Sequence, residues 1–437
     1  MALTTRLLLA GMVFAIWFFV YLTGKVMPQI SSVSLIIVFL VLYTWLLTLS
    51  NVHQKRMSLK YPKAVNYDYQ PKISVVIPCH NEARVVEKTV RTMLALDYPD
   101  YELLIMDDRS TDETAAVLKK LQDELNDPHF RFHTRAADAT AGKSAVLNEA
   151  LTLTSGDVIC VFDADATVEP DFLRRIIPFL ADANVGAVQA RKVISNANYN
   201  LLTQCQNYEY SLDANNQCGR ESIYGAVELR GNGQLIKRIA VEEVGGWNEN
   251  SVTDDLDMST RLHKSGWDIR FAHKVIVNEE GVVSAKALFK QRHRWTEGMM
   301  MRYLEHAGDI LWSPEVSMRV RMDMLAYLVQ FLFPIWMLFD GFQLFATMLE
   351  GDVNRVRLIT SVIILPVVGF FTNIEILIAI IRFNRPPLLE ALLSMLTTGA
   401  YMLTVWFPLT LILTVQLLFR RKRPIKWYKT EHTGHPA

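Results

Sequence analysis

The segment Asp157-Val158-Ile159-Cys160-Val161-Phe162-Asp163-Ala164-Asp165 decides the fold: an apolar run closed by two carboxylates reads as a short strand whose carboxyl end opens onto chemistry. Upstream, Lys72-Ile73-Ser74-Val75-Val76-Ile77-Pro78 reads as a buried strand and Glu102 to Met106 as another. Helical periodicity runs from after Asn81 to about Leu96 and from Thr111 to Leu125. Short apolar strands alternating with helices imply an α/β unit with a mainly parallel sheet. In such sheets ligands bind beyond the carboxyl ends of the strands.

Those ends carry Pro78-Cys79-His80-Asn81-Glu82, then Asp107-Asp108-Arg109-Ser110-Thr111-Asp112, then Asp163-Ala164-Asp165. One acidic pair at a strand end is commonly the cap of the next helix. Three such ends on one sheet edge repel each other unless a cation or a donor group sits among them. An Asp-x-Asp after an apolar strand offers hard oxygen ligands to a divalent ion and leaves positions for phosphate oxygens. Farther on, Thr253-Asp254-Asp255-Leu256-Asp257 opens an amphipathic segment ending at Gly266-Trp267. Its carboxylates fit either a capped helix start or a general base that takes a proton from a hydroxyl. Gln291-Arg292-His293-Arg294-Trp295 lies in a helical stretch through Met299, Met300 and Met301. Arg beside Trp also suits anchoring at a membrane surface.

The flanks of this unit are apolar. The chain has 437 residues, with 45 Lys and Arg against 45 Asp and Glu, and is 51% apolar and 21% charged. That composition argues against disorder, and zero net charge gives no global field to attract nucleic acid. No Asp or Glu occurs in the first 60 residues, which hold the apolar runs Leu7 to Leu22 and Ile30 to Leu49. Crossing a bilayer takes about 20 helical residues. The first run is an anchor rather than a signal peptide, because a second span follows at once. Met322 to Leu349, Leu358 to Ile381 and Leu388 to Phe419 are also long enough, the last interrupted by Pro408. The predicted layout is two transmembrane helices in 1–60, a soluble unit at 69–282, interfacial helices at 283–318, a transmembrane region at 319–420 and a basic tail at 421–437. Lys55, Arg56 and Lys60 after the second run put the soluble unit in the cytoplasm, by the excess of Lys and Arg on that side. The basic tail asks for the same side, which five crossings would deny. Four spans with one late segment in the interface, or six with residues 388–419 doubling back, would restore agreement. Cys79, Cys160, Cys205 and Cys218 form no C-x2-C pair and read as reduced thiols.

The order Pro-x-x-Asn-Glu, Asp-Asp-x-Ser, Asp-x-Asp, Thr-Asp-Asp and Gln-x-x-Arg-Trp resembles the membrane-bound family 2 glycosyltransferases over roughly Ile73 to Tyr303. The resemblance implies a Rossmann-like GT-A nucleotide-sugar-binding domain between transmembrane helices, and an inverting transfer. Carried onto this chain, it assigns Pro78, Asn81 and Glu82 to the nucleotide-binding opening loop and Asp107 and Asp108 to the uridine. Asp163 and Asp165 would hold the diphosphate and its Mg2+ or Mn2+. Lys143 falls in the family's Gly-Lys-x-x-x-Leu-Asn element; a Walker A loop is excluded because position 137 is Ala137. Asp255, beside Asp254, takes the place of the catalytic base. Gln291, Arg294 and Trp295 match the signature that closes over acceptor and diphosphate.

Two acceptors fit the family. A processive synthase of a cellulose, hyaluronan or poly-N-acetylglucosamine type must wall a polar channel, yet Gln330, Asp340, Gln343, Asn373, Glu375 and Gln416 are sparse in the late spans. The stretches 227–234, 245–249, 253–257 and 291–298 resemble instead the diacylglycerol-glucosylating branch found in cyanobacteria, the monoglucosyldiacylglycerol synthases. That implies UDP-glucose as donor, a lipid hydroxyl as acceptor, and residence in a plasma, inner or thylakoid membrane. Flexible Met299 to Met301 could meet varied acyl chains. An inactive sugar-binding scaffold is disfavoured by the unbroken acidic motifs.

Overall fold

A computed structural model describes residues 3–27, 30–60, 66–351 and 355–419; the basic tail lies outside the described residues. Two helices come first, α1 (Leu3–Val26) and α2 (Ser32–Lys60). The central unit follows in the order β1 (Ile73–Cys79), α3 (Val86–Leu94), β2 (Tyr101–Asp107), α4 (Thr114–Leu125), β3 (Phe130–Thr134), α5 (Lys143–Leu153), β4 (Val158–Val161), β5 (Thr167–Val168), α6 (Phe172–Ile176), β6 (Val185–Ile194), α7 (Leu201–Ser222), β7 (Gln234–Lys237), α8 (Arg238–Glu243), α9 (Asp254–Lys264) and β8 (Asp268–Glu279). Four long helices close the chain: α10 (Ala285–Trp312), α11 (Met318–Leu349), α12 (Arg355–Phe383) and α13 (Leu388–Phe419).

The eight strands form one sheet in the order β3-β2-β1-β4-β7-β6-β8-β5. As expected it is mainly parallel, since β1 to β4 run parallel and so do β6 and β8, but β7 runs antiparallel to both β4 and β6, and β5 antiparallel to β8. All seven residues of β1 are buried, because helices cover both faces. Side chains alternate sides along a strand. Accordingly Ile73, Val75 and Ile77 pack with Val90 and Met93 of α3 and Leu118 of α4. Val76 joins Val146 of α5, Val241 of α8 and Leu262 of α9 on the other face. The register pairs Cys79 with Asp107 and Val76 with Val161, so the three acidic strand ends meet at one edge.

Helices α1, α2, α11 and α13 are, among the described residues, long and apolar enough to cross a membrane. The expected runs are extended by a few residues at most ends, and residues 388–419 do not double back: α13 continues through Pro408 as one helix. Helix α2 packs on both α11 and α12, and α13 packs on the same two. Along its length α13 also follows the central unit. Ala391 sits with Tyr208 of α7, Val405 and Leu409 with Leu288 of α10, and Leu413 and Leu417 with Met300 and Leu304 of α10. Both ends of α13 therefore stay beside α7 and α10. Asp340, singled out as an intramembrane carboxylate, caps α2: it accepts from Ser31 Oγ at 2.7 Å, Ser32 Oγ at 2.9 Å and Ser32 N at 3.2 Å. A carboxylate at a helix N-terminus satisfies otherwise unpaired N–H groups and the positive dipole end.

Candidate active site

A single cavity of about 990 Å3 begins at the acidic sheet edge and continues into the helices. Its polar end is lined by Pro78, Glu82, Lys143, Asp163 and Asp165, by Asp254 and Asp255, and by Gln291, Arg294 and Trp295. Residues separated by more than 200 positions are thus brought to one space. Its other end is lined by Leu47 of α2, Phe331 and Met337 of α11, Ile376 of α12 and Leu403 and Phe407 of α13.

Lys143, the first residue of α5, donates to Asp163 Oδ1 at 2.6 Å and lies 4.0 Å from Asp254 Oδ2. Burial alone would discharge this ammonium, but Asp163 and then Asp254 raise its pKa above the usual lysine range. Asp165 Oδ2 accepts from the Glu280 amide at 2.7 Å. Buried Asn232 links two walls, accepting from the Asp163 amide at 3.2 Å and donating to Glu279 at 3.0 Å. No group of three or more His, Cys, Asp or Glu spaced to cage a metal occurs among the described residues. Two hard carboxylates at the polar end of the cavity fit a divalent ion that completes its shell with ligand and water oxygens.

Thr253-Asp254-Asp255 begins α9 beside the cavity, placing both carboxylates in its first turn. Gly231, at φ +80°, lies against Asp255; a Cβ there would stand 3.3 Å from Asp255 Oδ2 and 3.6 Å from Lys143 Nζ. Burial, then the charge of Asp254, push the Asp255 carboxyl up to about 6, against the opposing pull of Lys143. That poises it as a proton acceptor near neutral pH. If it is the base, kcat/KM for transfer rises with pH through about 6, roughly tenfold per unit below it, because only the ionised carboxylate accepts a proton. Asp254→Asn removes one of the raising charges and is expected to move that limb to lower pH, read from pH–rate profiles of the two proteins.

The Gln-x-x-Arg-Trp helix is held by contacts no motif announced. Arg292 is 0% exposed, and it donates to Glu209 through Nη2 at 2.6 Å and Nε at 3.2 Å. Glu209 of α7 also accepts from Tyr401 at 2.7 Å and Trp406 at 2.8 Å, both on α13. The Arg292 guanidinium donates to the Gln291 side-chain oxygen and lies 4.1 Å from the Trp295 ring centroid. Arg294 reaches the cavity without a side-chain hydrogen-bond partner among the described residues. Gly298 lets α10 dock on Thr253, since a Cβ there would fall 2.2 Å from Thr253 Cγ2. Of the three methionines, Met299 lines the cavity, whereas Met300 is buried against Leu9 and Leu413. Beneath the site Glu228 binds three arginines, Arg230 at 2.7 Å, Arg302 at 2.8 Å and Arg220 at 3.1 Å, which hold its carboxyl well below the usual range.

Three expected donor-site residues are not on the cavity wall. Asn81, at φ +59°, accepts from the Thr111 amide at 2.7 Å and so ties the first strand-end loop to the second. Asp108 accepts from Arg135 at 2.7 Å and Arg109 at 2.9 Å, and its carboxylate is consumed in those pairs. Asp107 is also buried, and its Oδ2 has no hydrogen-bond partner among the described residues.

The family model described as "Glycosyltransferase like family 2" matches residues 71–298. The beta-monoglucosyldiacylglycerol synthase of Trichormus variabilis is 37% identical over 396 residues, covering 89% of this chain and 83% of that protein. The Synechocystis protein of the same name is 37% identical over 369 residues, 83% of this chain and 75% of its own. In fold, the chain resembles a mannosyltransferase from Pyrobaculum calidifontis, solved with GDP-mannose and Mn2+, with a TM-score of 0.58 at 19% identity over 85% of this chain and 99% of that one.

Proposed function

The chain belongs to glycosyltransferase-like family 2, and from that premise we propose that it moves glucose from UDP-glucose to the free hydroxyl of 1,2-diacylglycerol, giving β-monoglucosyldiacylglycerol. The observation that carries this reading is the cavity that joins Lys143, Asp163, Asp165 and Asp255 to the apolar faces of α2, α11, α12 and α13. A soluble acceptor has no use for the second half of that space. A diacylglycerol does: its chains occupy apolar surroundings while its hydroxyl stands at the headgroup level. The relatives named for that activity share 37% of their residues over most of the chain.

The donor lies at the acidic edge. Lys143 and Arg294 face the diphosphate. Asp163 and Asp165 would hold Mg2+ or Mn2+, which when bound neutralises charge on the departing UDP. Asp255 takes the proton of the lipid hydroxyl as that oxygen attacks the anomeric carbon from the face opposite the diphosphate. One base and no nucleophilic carboxylate make a single displacement, so an α-linked donor yields a β-linked product. Gln291 and Trp295, held by Arg292, close the acceptor side.

The anomeric coupling in an NMR spectrum of the lipid formed from UDP-glucose and diacylglycerol tests this: a β-glucoside is expected, and an α-glucoside would refute the single displacement. Asp165→Ala is expected to weaken UDP binding in Mg2+ or Mn2+ far more than in chelator, measured by calorimetry. Undiminished lipid glucosylation in excess chelator would remove the metal from the reaction. The excess of Lys and Arg at Lys55 and Arg56 supports a cytoplasmic catalytic unit. Four crossings by α1, α2, α11 and α12, with α13 along the inner surface, are the count that the basic residues at both flanks ask for.

A further inference from the structure

Helices α11 and α12 each pack on α2 and on α13, and residues of both line the cavity. The space between them is the apolar half of the cavity. Pro334 and Met337 of α11 face it, as do Gly369 and Ile376 of α12, each pair spaced to lie on one helix side. Along the bottom run Leu396 and Leu403 of α13, seven residues apart. They line the same cavity as Asp255 while being 58% and 67% exposed. Wall and outer apolar surface are therefore continuous at this point, so the cavity is open sideways where hydrocarbon would surround the helices.

We propose that the gap between α11 and α12, floored by α13, is a lateral entrance in which the acyl chains of the acceptor lipid lie while its hydroxyl reaches Asp255. This rests on the lipid-acceptor reading. A two-chain lipid drawn out into the aqueous part of the site would expose every methylene to water, whereas a side entrance keeps the chains in apolar contact throughout. Gly369 supports the assignment. It sits inside α12, where glycine is unfavourable for the helix, and a Cβ there would meet nothing within 4 Å. The open room at that position is room in the entrance.

Gly369 also supplies the test, because a larger side chain there improves helix propensity and projects into empty space. Gly369→Leu and Gly369→Trp are made in the full chain, with Gly341→Leu as control; Gly341 is in α11, has equal free space and does not line the cavity. Calorimetric UDP binding is expected to match the unmodified protein in all three. The KM for dioleoylglycerol is expected to rise at least tenfold in Gly369→Trp and less in Gly369→Leu, with dihexanoylglycerol little affected and the control unchanged. Equal KM and kcat for dioleoylglycerol in Gly369→Trp and the unmodified protein would overturn the entrance. An equal loss with the short-chain lipid would overturn it too, since that points to the headgroup end. If the unmodified protein glucosylates no diacylglycerol, the failure belongs to the acceptor assignment, not to the route.

Discussion

Asp255→Asn is expected to lower kcat/KM for lipid glucosylation by roughly 10²–10⁴-fold while leaving UDP affinity within about twofold. The amide keeps the shape of the side chain and its place in the first turn of α9 but has no basic oxygen to take the acceptor proton. UDP binding should survive, because the groups assigned to the donor are Lys143, Asp163, Asp165 and Arg294, and Lys143 keeps its 2.6 Å bond to Asp163. Asp254→Asn should cost less, since Asp254 shapes the affinity of Asp255 for its proton rather than accepting the acceptor's. Measured side by side, kinetics and calorimetry separate the two roles. Joint loss of transfer and UDP binding in Asp255→Asn would make it a donor-site residue instead of the base.

The second large effect is on architecture. Glu209→Ala leaves the fully buried Arg292 guanidinium without its counter-charge and strands the Tyr401 and Trp406 donors on α13. Breaking a buried ion pair from one side costs about 3–5 kcal/mol, a large part of the ~5–15 kcal/mol that holds a typical domain folded. Thermal unfolding in detergent should therefore shift down strongly. The double variant Glu209→Ala/Arg292→Met, which removes the stranded charge as well, should lose less than Glu209→Ala alone. Residual folded Glu209→Ala should also transfer poorly at near-normal UDP affinity, because Arg292 no longer orients Gln291 and Trp295. An unfolding temperature unchanged by Glu209→Ala would deny the pair its structural weight.

The sequence was most legible where a local pattern and burial agree. β1, β2 and β4 lie within one or two residues of the apolar runs that predict them, because a strand covered on both faces is written as an unbroken run. Edge strand β3, Phe130-Arg131-Phe132-His133-Thr134, escaped for the opposite reason: its middle residues are half-exposed and its alternation spans only five positions. The antiparallel β7 has four residues and no pattern to betray its direction. The acidic and Gln-x-x-Arg-Trp motifs led to the cavity wall, but not to Arg292–Glu209 or the Glu228 cluster. The pairs that cross the fold lie far apart in the chain, 83 positions for Arg292 and Glu209 and 74 for Arg302 and Glu228. Asn81 and Asp108 illustrate the converse, since motif positions that face no cavity can hold the loops that do. Nor did the apolar run at 388–419 announce its neighbours: α13 is long and apolar enough to cross and yet lies against α7 and α10 from Ala391 to Leu417.

The acceptor is tested most directly by incubating the purified full chain with radiolabelled UDP-glucose, diacylglycerol and Mg2+, then separating the products by solvent extraction and thin-layer chromatography. Label in a single chloroform-soluble band that migrates as monoglucosyldiacylglycerol is the expected result. Label in an ethanol-insoluble polymer, with none in the lipid phase, would contradict it and turn the helix-lined half of the cavity into the start of a polysaccharide channel.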